Sequence, residues 1–171
     1  MTLSEALEAD RQGQIEQAAT RYELLLSEGP PTLVVLLNLA VLYWQATDPG
    51  LAAAKRLTPE FLAKASSRFP ELLTEAERSF PRNAEARFWR RYIRWADLGE
   101  PFSREECQQL LREDPSTLVP VMYLFDPTSG GEVAAGAHEL LRRCLEENTT
   151  RARYIASAIN GVLRRAGGRS Q

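Results

Sequence analysis

The most apolar stretch of the chain reads Thr32-Leu-Val-Val-Leu-Leu-Asn-Leu-Ala-Val-Leu-Tyr-Trp-Gln-Ala46. Between residues 33 and 44 its only polar side chain is Asn38. Pro30-Pro31 precedes the stretch and Asp48-Pro-Gly50 follows it, so turn-forming residues bound it at both ends. Its apolar positions cover nearly the whole circumference of a helix, which predicts a helix buried from several sides. The stretch is too short for a membrane span, which needs roughly 20 apolar residues.

Composition and charge narrow the class of protein. The chain has 171 residues, of which 44% are hydrophobic and 26% are charged. These values are typical of one globular domain and not of a disordered chain. The net charge of −2 argues against general binding of nucleic acid. The first residues lack the basic start and apolar core of a secretory signal. We therefore expect a cytoplasmic protein with neither a membrane nor a nucleic acid as partner.

The rest of the chain alternates helix-forming segments with helix-stopping residues. Thr2-Leu-Ser-Glu5 and Ser103-Arg-Glu-Glu106 are capping boxes that begin helices, and Thr58-Pro59 begins another. Pro70 is expected to end or kink the helix that contains it. No alternating strand pattern with hairpin turns occurs. Helices are predicted over residues 2–12, 14–27, 32–46, 51–57, 59–79 with an end or kink near residue 69, 84–98, 103–112, 117–125, 132–147 and 150–165.

These segments predict an all-α fold. We expect a helical-hairpin array of about 8–10 helices and no sheet. The array should form a single domain over residues 1–166, and residues 167–171 should be a flexible C-terminal tail.

Cysteine and histidine are scarce. Cys107 and Cys144 are the only thiols, and His138 is the only histidine. Both cysteines lie in apolar-periodic segments, so we expect free thiols that are buried or half-buried. A zinc site or a Cys–His nucleophile would need these residues to meet without any local chelating pair. The sequence therefore predicts no catalytic, cofactor-binding or metal-binding residue, and no enzymatic activity.

A repeat period is visible at the N-terminal end. Leu39-Ala40-x-x-Tyr43 lies 34 residues after Glu5-Ala6-x-x-Ala9. Between them, Ala18 and Tyr22 form an Ala-x-x-x-aromatic pair. Over residues 1–47 this spacing resembles a tetratricopeptide repeat, in which small residues let paired helices approach closely and large ones fill the grooves between pairs.

The resemblance implies an irregular solenoid of helical hairpins that serves as a binding scaffold. The first helix of each pair in that family lines a concave groove. Candidate groove residues are Val34, Leu37, Val41, Trp44 and Gln45. Alternatively, a later helix covers these side chains and they belong to the core. After residue 47 the repeat pattern is lost, so an irregular all-α bundle is the alternative architecture.

The predicted helix Ala84–Leu98 is strongly amphipathic. Its apolar face contains Phe88, Trp89, Tyr92, Ile93, Trp95 and Ala96. Its opposite face contains Arg87, Arg90, Arg91 and Arg94. These arginines either pair with glutamates of neighbouring helices or bind carboxylates of an acidic partner. Because the aromatic and basic side chains lie on opposite faces, binding of single-stranded nucleic acid is disfavoured.

The function predicted from these features is a protein–protein interaction adaptor without catalysis. Its partner would be a protein or peptide with an acidic or apolar segment, and a homo-oligomer is an open possibility. The first alternative is a dedicated bacterial accessory protein, such as an immunity protein or secretion chaperone, that occludes one partner. The second is a self-associating assembly subunit. The predicted partner-binding residues are Val34, Leu37, Val41, Trp44, Arg87, Arg90, Arg91 and Arg94.

Overall fold

All regular structure in the described part of the chain is helical. The computed structural model describes residues 1–167. Helices make up 77% of these residues and none of them is in a strand, which confirms the all-α prediction. The ten helices of this part are α1 (Leu3–Arg11), α2 (Ile15–Glu28), α3 (Leu33–Ala46), α4 (Pro49–Lys55), α5 (Pro59–Ser79), α6 (Ala84–Leu98), α7 (Arg104–Glu113), α8 (Val121–Leu124), α9 (Gly131–Glu147) and α10 (Thr150–Gly167).

The helices belong to two compact units. The first unit comprises Met1–Pro81 and the short segment Thr149–Arg151, and the second comprises Arg82–Asn148 and the chain from Ala152 onward. The domain expected over residues 1–166 thus contains both units. Gly167, expected in the tail, is instead the last residue of α10. The remainder of the predicted tail lies outside the described residues.

Helix α3 is the central helix of the first unit. The Thr32 side chain accepts a hydrogen bond from the Val35 amide at 3.4 Å and so caps the start of the helix. Eleven of the 14 residues of α3 are buried. The helix packs most extensively against α5 and also contacts α2 and α4. These contacts confirm the prediction that neighbouring elements bury this stretch from several sides.

Helices α1 and α2 form a hairpin in the first unit. Thr2 and Glu5 form the predicted capping box: the Thr2 amide donates to Glu5 Oε2 at 2.7 Å and the Glu5 amide donates to Thr2 Oγ1 at 3.3 Å. Gly13 lies between the helices with φ of 68°, a conformation that glycine adopts without a steric penalty. The two helices pack against each other. Local capping and one glycine therefore define this hairpin.

Helix α5 continues through Pro70, so the first of the two expected outcomes, an end of the helix, does not occur. Pro70 is exposed. Because proline has no amide hydrogen, the carbonyl four residues earlier lacks its helical donor. On this exposed side of the helix, water can donate a hydrogen bond to that carbonyl instead. Ala65, Leu72 and Ala76 are buried on the other side of the helix. Their burial stabilises the continuous helix.

Helix α8 is shorter than the predicted segment 117–125. Only Val121–Leu124 is helical. The Thr117 side chain accepts a hydrogen bond from the Val119 amide at 3.3 Å, which favours a turn in place of a helix start. Pro120 then precedes the first helical residue. The side-chain bond of Thr117 competes with helical hydrogen bonding and delays the helix.

The second unit is built from consecutive helices. Helices α6, α7, α8 and α9 pack in chain order. The Asn83 side chain caps α6 by accepting from the Ala86 amide at 3.1 Å, and Gly99 ends the helix with φ of 66°. Across residues 1–167, none of the helices is both long enough and apolar enough to cross a lipid bilayer.

Candidate partner-binding surfaces

Most of the predicted groove residues of α3 lie in the core. Leu37, Val41 and Trp44 are buried, whereas Val34 is 42% exposed. Gln45 is half-buried. The burial of the first three contradicts their assignment to an open groove. The physical reason is the extensive packing of α5 against α3 after the short insertion formed by α4.

A buried polar network explains why α3 tolerates Asn38. Asn38 Nδ2 donates to the Tyr22 hydroxyl at 3.3 Å, and Arg151 Nε donates to Asn38 Oδ1 at 2.7 Å. The Asp10 carboxylate accepts from the Tyr22 hydroxyl at 3.1 Å. It also accepts from the Thr150 amide at 2.7 Å and from Thr150 Oγ1 at 2.6 Å. All five side chains are buried, so the network joins four segments of the first unit and presents no surface.

The network also affects the ionisation of Tyr22. Burial, together with the nearby Asp10 carboxylate, raises the pKa of the Tyr22 hydroxyl well above its ordinary value. The hydroxyl therefore stays protonated and can donate to Asp10 while it accepts from Asn38. This arrangement satisfies buried polar atoms that would otherwise destabilise the fold.

The arginines of α6 pair with glutamates of the same unit. Arg87 Nη1 forms an ion pair with Glu113 Oε2 at 2.6 Å. Arg91 donates to both oxygens of Glu106, at 2.6 and 3.1 Å. These hydrogen bonds raise the pKa of Arg91. The first of the two alternatives for the arginine row therefore describes these residues.

The C-terminal part of the row is paired in the same way. Arg94 donates to Glu100 at 2.7 Å, and this hydrogen bond lowers the pKa of Glu100. Arg90 also interacts with other residues of the chain. Arg87, Arg91 and Arg94 are therefore paired within the second unit, which does not favour the row as an open site for an acidic partner.

Reversing the charge of Arg91 is expected to destabilise the protein. Arg91→Glu removes the two hydrogen bonds to Glu106 and places a third carboxylate beside Glu100 and Glu106. We expect the free energy of unfolding to fall by about 1–2 kcal/mol, because the pair is bidentate and only partly exposed. Urea denaturation monitored by circular dichroism measures this change.

Two variants control this measurement. The charge swap Arg91→Glu with Glu106→Arg should recover most of the lost stability. Arg82→Glu changes an exposed arginine and should alter stability by less than about 0.5 kcal/mol. An Arg91→Glu variant as stable as the wild type would show that the pairing contributes nothing to the fold.

Aromatic rings fill the space beside α6. Tyr92 lies at the centre of this cluster, with ring centroids of Phe88 at 5.4 Å, Trp95 at 5.4 Å and Tyr154 at 6.1 Å. The Tyr92 and Tyr154 hydroxyls are 2.7 Å apart and form a hydrogen bond. The Tyr123 hydroxyl donates to the Phe102 carbonyl at 2.5 Å. The hydroxyls of all three tyrosines therefore have partners inside the unit.

The last turn of α6 presents an apolar surface. Trp95 is 40% exposed and Leu98 is 69% exposed, and we call these two residues the Trp95–Leu98 surface. Trp95 packs edge-on against Tyr123 with centroids 5.1 Å apart. Trp95 and Ala96 were both assigned to the inward face, yet both are exposed because residues 94–99 extend past the buried part of the helix. Leu98, three residues after Trp95, was not among the predicted site residues.

Both cysteines are buried and neither forms a disulfide bond, as predicted. Cys107 Sγ donates to the Pro120 carbonyl at 3.3 Å. Burial raises the pKa of Cys107 to about 12, so its reactive thiolate form is disfavoured. Within residues 1–167, His, Cys, Asp and Glu side chains form no group of three or more that could hold a metal ion.

No protein-family model matches the chain, and no curated protein or solved structure matches it.

Proposed function

We propose that this chain is a protein–protein interaction adaptor without catalysis, and that it binds an apolar segment of a partner protein on the Trp95–Leu98 surface. The observation that carries this proposal is the exposure of a tryptophan and a leucine one turn apart on a firmly packed helix. Tryptophan is among the residues that contribute most to binding at protein interfaces. Burial of the two side chains would be favourable by roughly 25 cal/mol per Å² of apolar area.

The support beneath Trp95 favours a binding role. Trp95 contacts the rings of Tyr92 and Tyr123 on its inner side, so the helix presents it in a defined orientation. A side chain that is already ordered loses less conformational entropy when a partner binds. The internal hydrogen bonds of these tyrosine hydroxyls leave the rings as the apolar support of the surface.

The charges near the surface favour an apolar partner over an acidic one. Arg94 and Glu100 form an ion pair with an oxygen–nitrogen distance of 2.7 Å. Arg91 is paired with Glu106 in the same way. Paired charges of this kind suit the polar rim of an interface and do not call for an anionic ligand.

We also propose a tetratricopeptide-like packing for α1, α2, α3 and α5 of the first unit. Successive members of this set pack against each other. The three small residues of the repeat pattern, Ala6, Ala18 and Ala40, are fully buried. Tyr22 and Tyr43 are also buried, as large groove-filling residues would be. A cytoplasmic setting is part of the same proposal.

Substitution of Leu98 tests the binding surface. Leu98→Asp places a charge in the centre of the proposed interface but disturbs no buried contact. We expect wild-type protein immobilised on a resin to capture a partner from a lysate of the native organism, and Leu98→Asp to capture about tenfold less of it. Quantitative mass spectrometry of the eluates measures the difference.

Leu145→Asp is the matched control, because Leu145 is a 65% exposed leucine on α9. It should capture the same partner as the wild type, and both variants should keep the wild-type melting temperature. Equal capture by Leu98→Asp and wild type would contradict the proposed surface. Concentration-dependent dimerisation that only Leu98→Asp abolishes, seen by analytical ultracentrifugation, would favour the self-associating assembly subunit instead.

A further inference from the structure

Helix α4 is held to the first unit more weakly than its neighbours. It has seven residues, Pro49–Lys55, and none of them is buried. Leu51 and Ala52 are half-buried, and Ala53 and Ala54 are exposed. A helix this short is marginally stable without tertiary packing. Opening of α4 would therefore expose little apolar surface and require little free energy.

The chain on both sides of α4 is firmly anchored. Before it, α3 is buried along nearly its whole length. After it, Glu16 Oε1 accepts hydrogen bonds from the Thr58 amide at 2.8 Å and from the Thr58 hydroxyl at 3.0 Å. Thr58 in turn caps α5. Local opening can therefore be confined to the segment between Thr47 and Leu57.

Two adjacent basic residues end this segment. Lys55 and Arg56 are both exposed. Among the side chains of residues 1–167, no carboxylate pairs with either of them. Arg56 has φ of 52° and ψ of 44°, the left-handed conformation that is sterically unfavourable for a non-glycine residue. Opening of α4 relieves this strain.

We propose that Lys55-Arg56 is a cleavage site for proteases of the trypsin class, which cut after basic residues, and that local opening of α4 makes the site accessible. Water is the co-reactant. The bond between the Arg56 carbonyl carbon and the Leu57 nitrogen breaks, the carbon gains the hydroxyl and the nitrogen gains the proton. Cleavage after Lys55 follows the same chemistry.

Arg82, an exposed basic residue between two helices of the second unit, is less suited to cleavage. Fully buried residues, Ala84 and Ala86, follow it at once, whereas residues 58–60 after Arg56 are exposed. Asn83 caps α6, and the Ala84 amide donates to Asp114 at 3.1 Å. Phe88 and Trp89 are fully buried in the same helix. Entry of the chain around Arg82 into a protease therefore requires loss of buried structure, whereas α4 has no buried residue to lose.

The cut need not separate the two products. Helix α3 lies before the cleavage site and α5 lies after it, and these two helices pack extensively against each other. The fragments 1–56 and 57–171 should therefore remain associated after cleavage. The site can change the connectivity of the first unit without dissolving it.

Limited digestion of the full-length protein with trypsin under native conditions tests the proposal. Intact-mass spectrometry should identify the first internal cut after Lys55 or Arg56. The nicked protein should elute from a size-exclusion column at the wild-type volume. Lys55→Gln with Arg56→Gln should slow the first internal cut about tenfold or more, because the susceptible bonds are removed while the opening remains.

Arg82→Gln is the matched control and should be cut at the wild-type rate. Cuts after Arg164 or Arg165 shorten only the C-terminal end and are distinguished by mass. A first internal cut at any other basic residue, or an unchanged rate in the double glutamine variant, would overturn the proposal. Hydrogen exchange gives an independent readout: amides of residues 51–57 should exchange much faster than those of α3, and equal protection would also overturn it.

Discussion

Asp10→Ala is expected to lower the free energy of unfolding by about 3–5 kcal/mol, because it removes the acceptor at the centre of a buried network. Asp10 is fully buried and accepts hydrogen bonds from the Thr150 amide, the Thr150 hydroxyl and the Tyr22 hydroxyl. Without the carboxylate these buried donors lose their acceptor. Urea denaturation monitored by circular dichroism measures the loss.

Three further variants define the origin of this effect. Asp10→Asn keeps the shape of the side chain and one oxygen acceptor, so it should lower the free energy of unfolding by less than Asp10→Ala does. Tyr22→Phe removes one hydroxyl and should cost about 1–2 kcal/mol. Glu8→Ala changes an exposed carboxylate on the same helix and should cost less than about 1 kcal/mol. A loss below 1 kcal/mol for Asp10→Ala would show that the network does not stabilise the fold.

The helices that could be predicted from the sequence are those whose ends depend on neighbouring residues. The capping box at Thr2 and the glycine after Leu98 act within one turn of the chain. For this reason the predicted helix Ala84–Leu98 coincides with α6 at both ends. The rule that proline ends a helix considers only neighbouring residues. It therefore takes no account of the burial of Leu72 and Ala76 on the opposite side of α5, which stabilises the helix through Pro70.

The polar network depends on contacts that no local pattern contains. Asn38 stands out in the sequence as the one polar residue between residues 33 and 44, so a buried partner could be expected for it. That partner, Arg151, lies 113 residues later, and Thr150 lies 140 residues after Asp10. The periodicity of a sequence predicts which face of a helix is apolar, but it does not identify residues that meet over such distances.

The candidate surfaces show the same limit. The arginine row of α6 was visible in the sequence, but its two alternatives could be separated only by the position of Glu106 and Glu113 on α7. The exposure of Trp95 was missed because a helical wheel treats every turn of α6 as equally covered. The last turn in fact extends beyond the elements that bury Phe88 and Trp89.

The two tryptophans of α6 should therefore respond very differently to the same substitution. Trp89 is fully buried, its ring lies 5.7 Å from that of Phe88, and its Nε1 donates to Glu85 at 3.1 Å. Trp89→Ala leaves a large cavity and should lower the free energy of unfolding by about 3–5 kcal/mol. Trp95→Ala removes a partly exposed ring from the edge of the cluster and should cost about 1–2 kcal/mol.

Urea denaturation of the two variants, prepared and measured side by side, tests this difference. A core role for Trp89 and a surface role for Trp95 require the stability loss to be at least twice as large for Trp89→Ala. The effect on partner binding should be large for Trp95→Ala although its stability loss is small, because this variant should remain folded yet no longer capture the partner. Equal stability losses would mean that Trp95 belongs to the core, as the helical wheel suggested. Its ring would then be a structural element, and the proposed binding surface would lose its central residue.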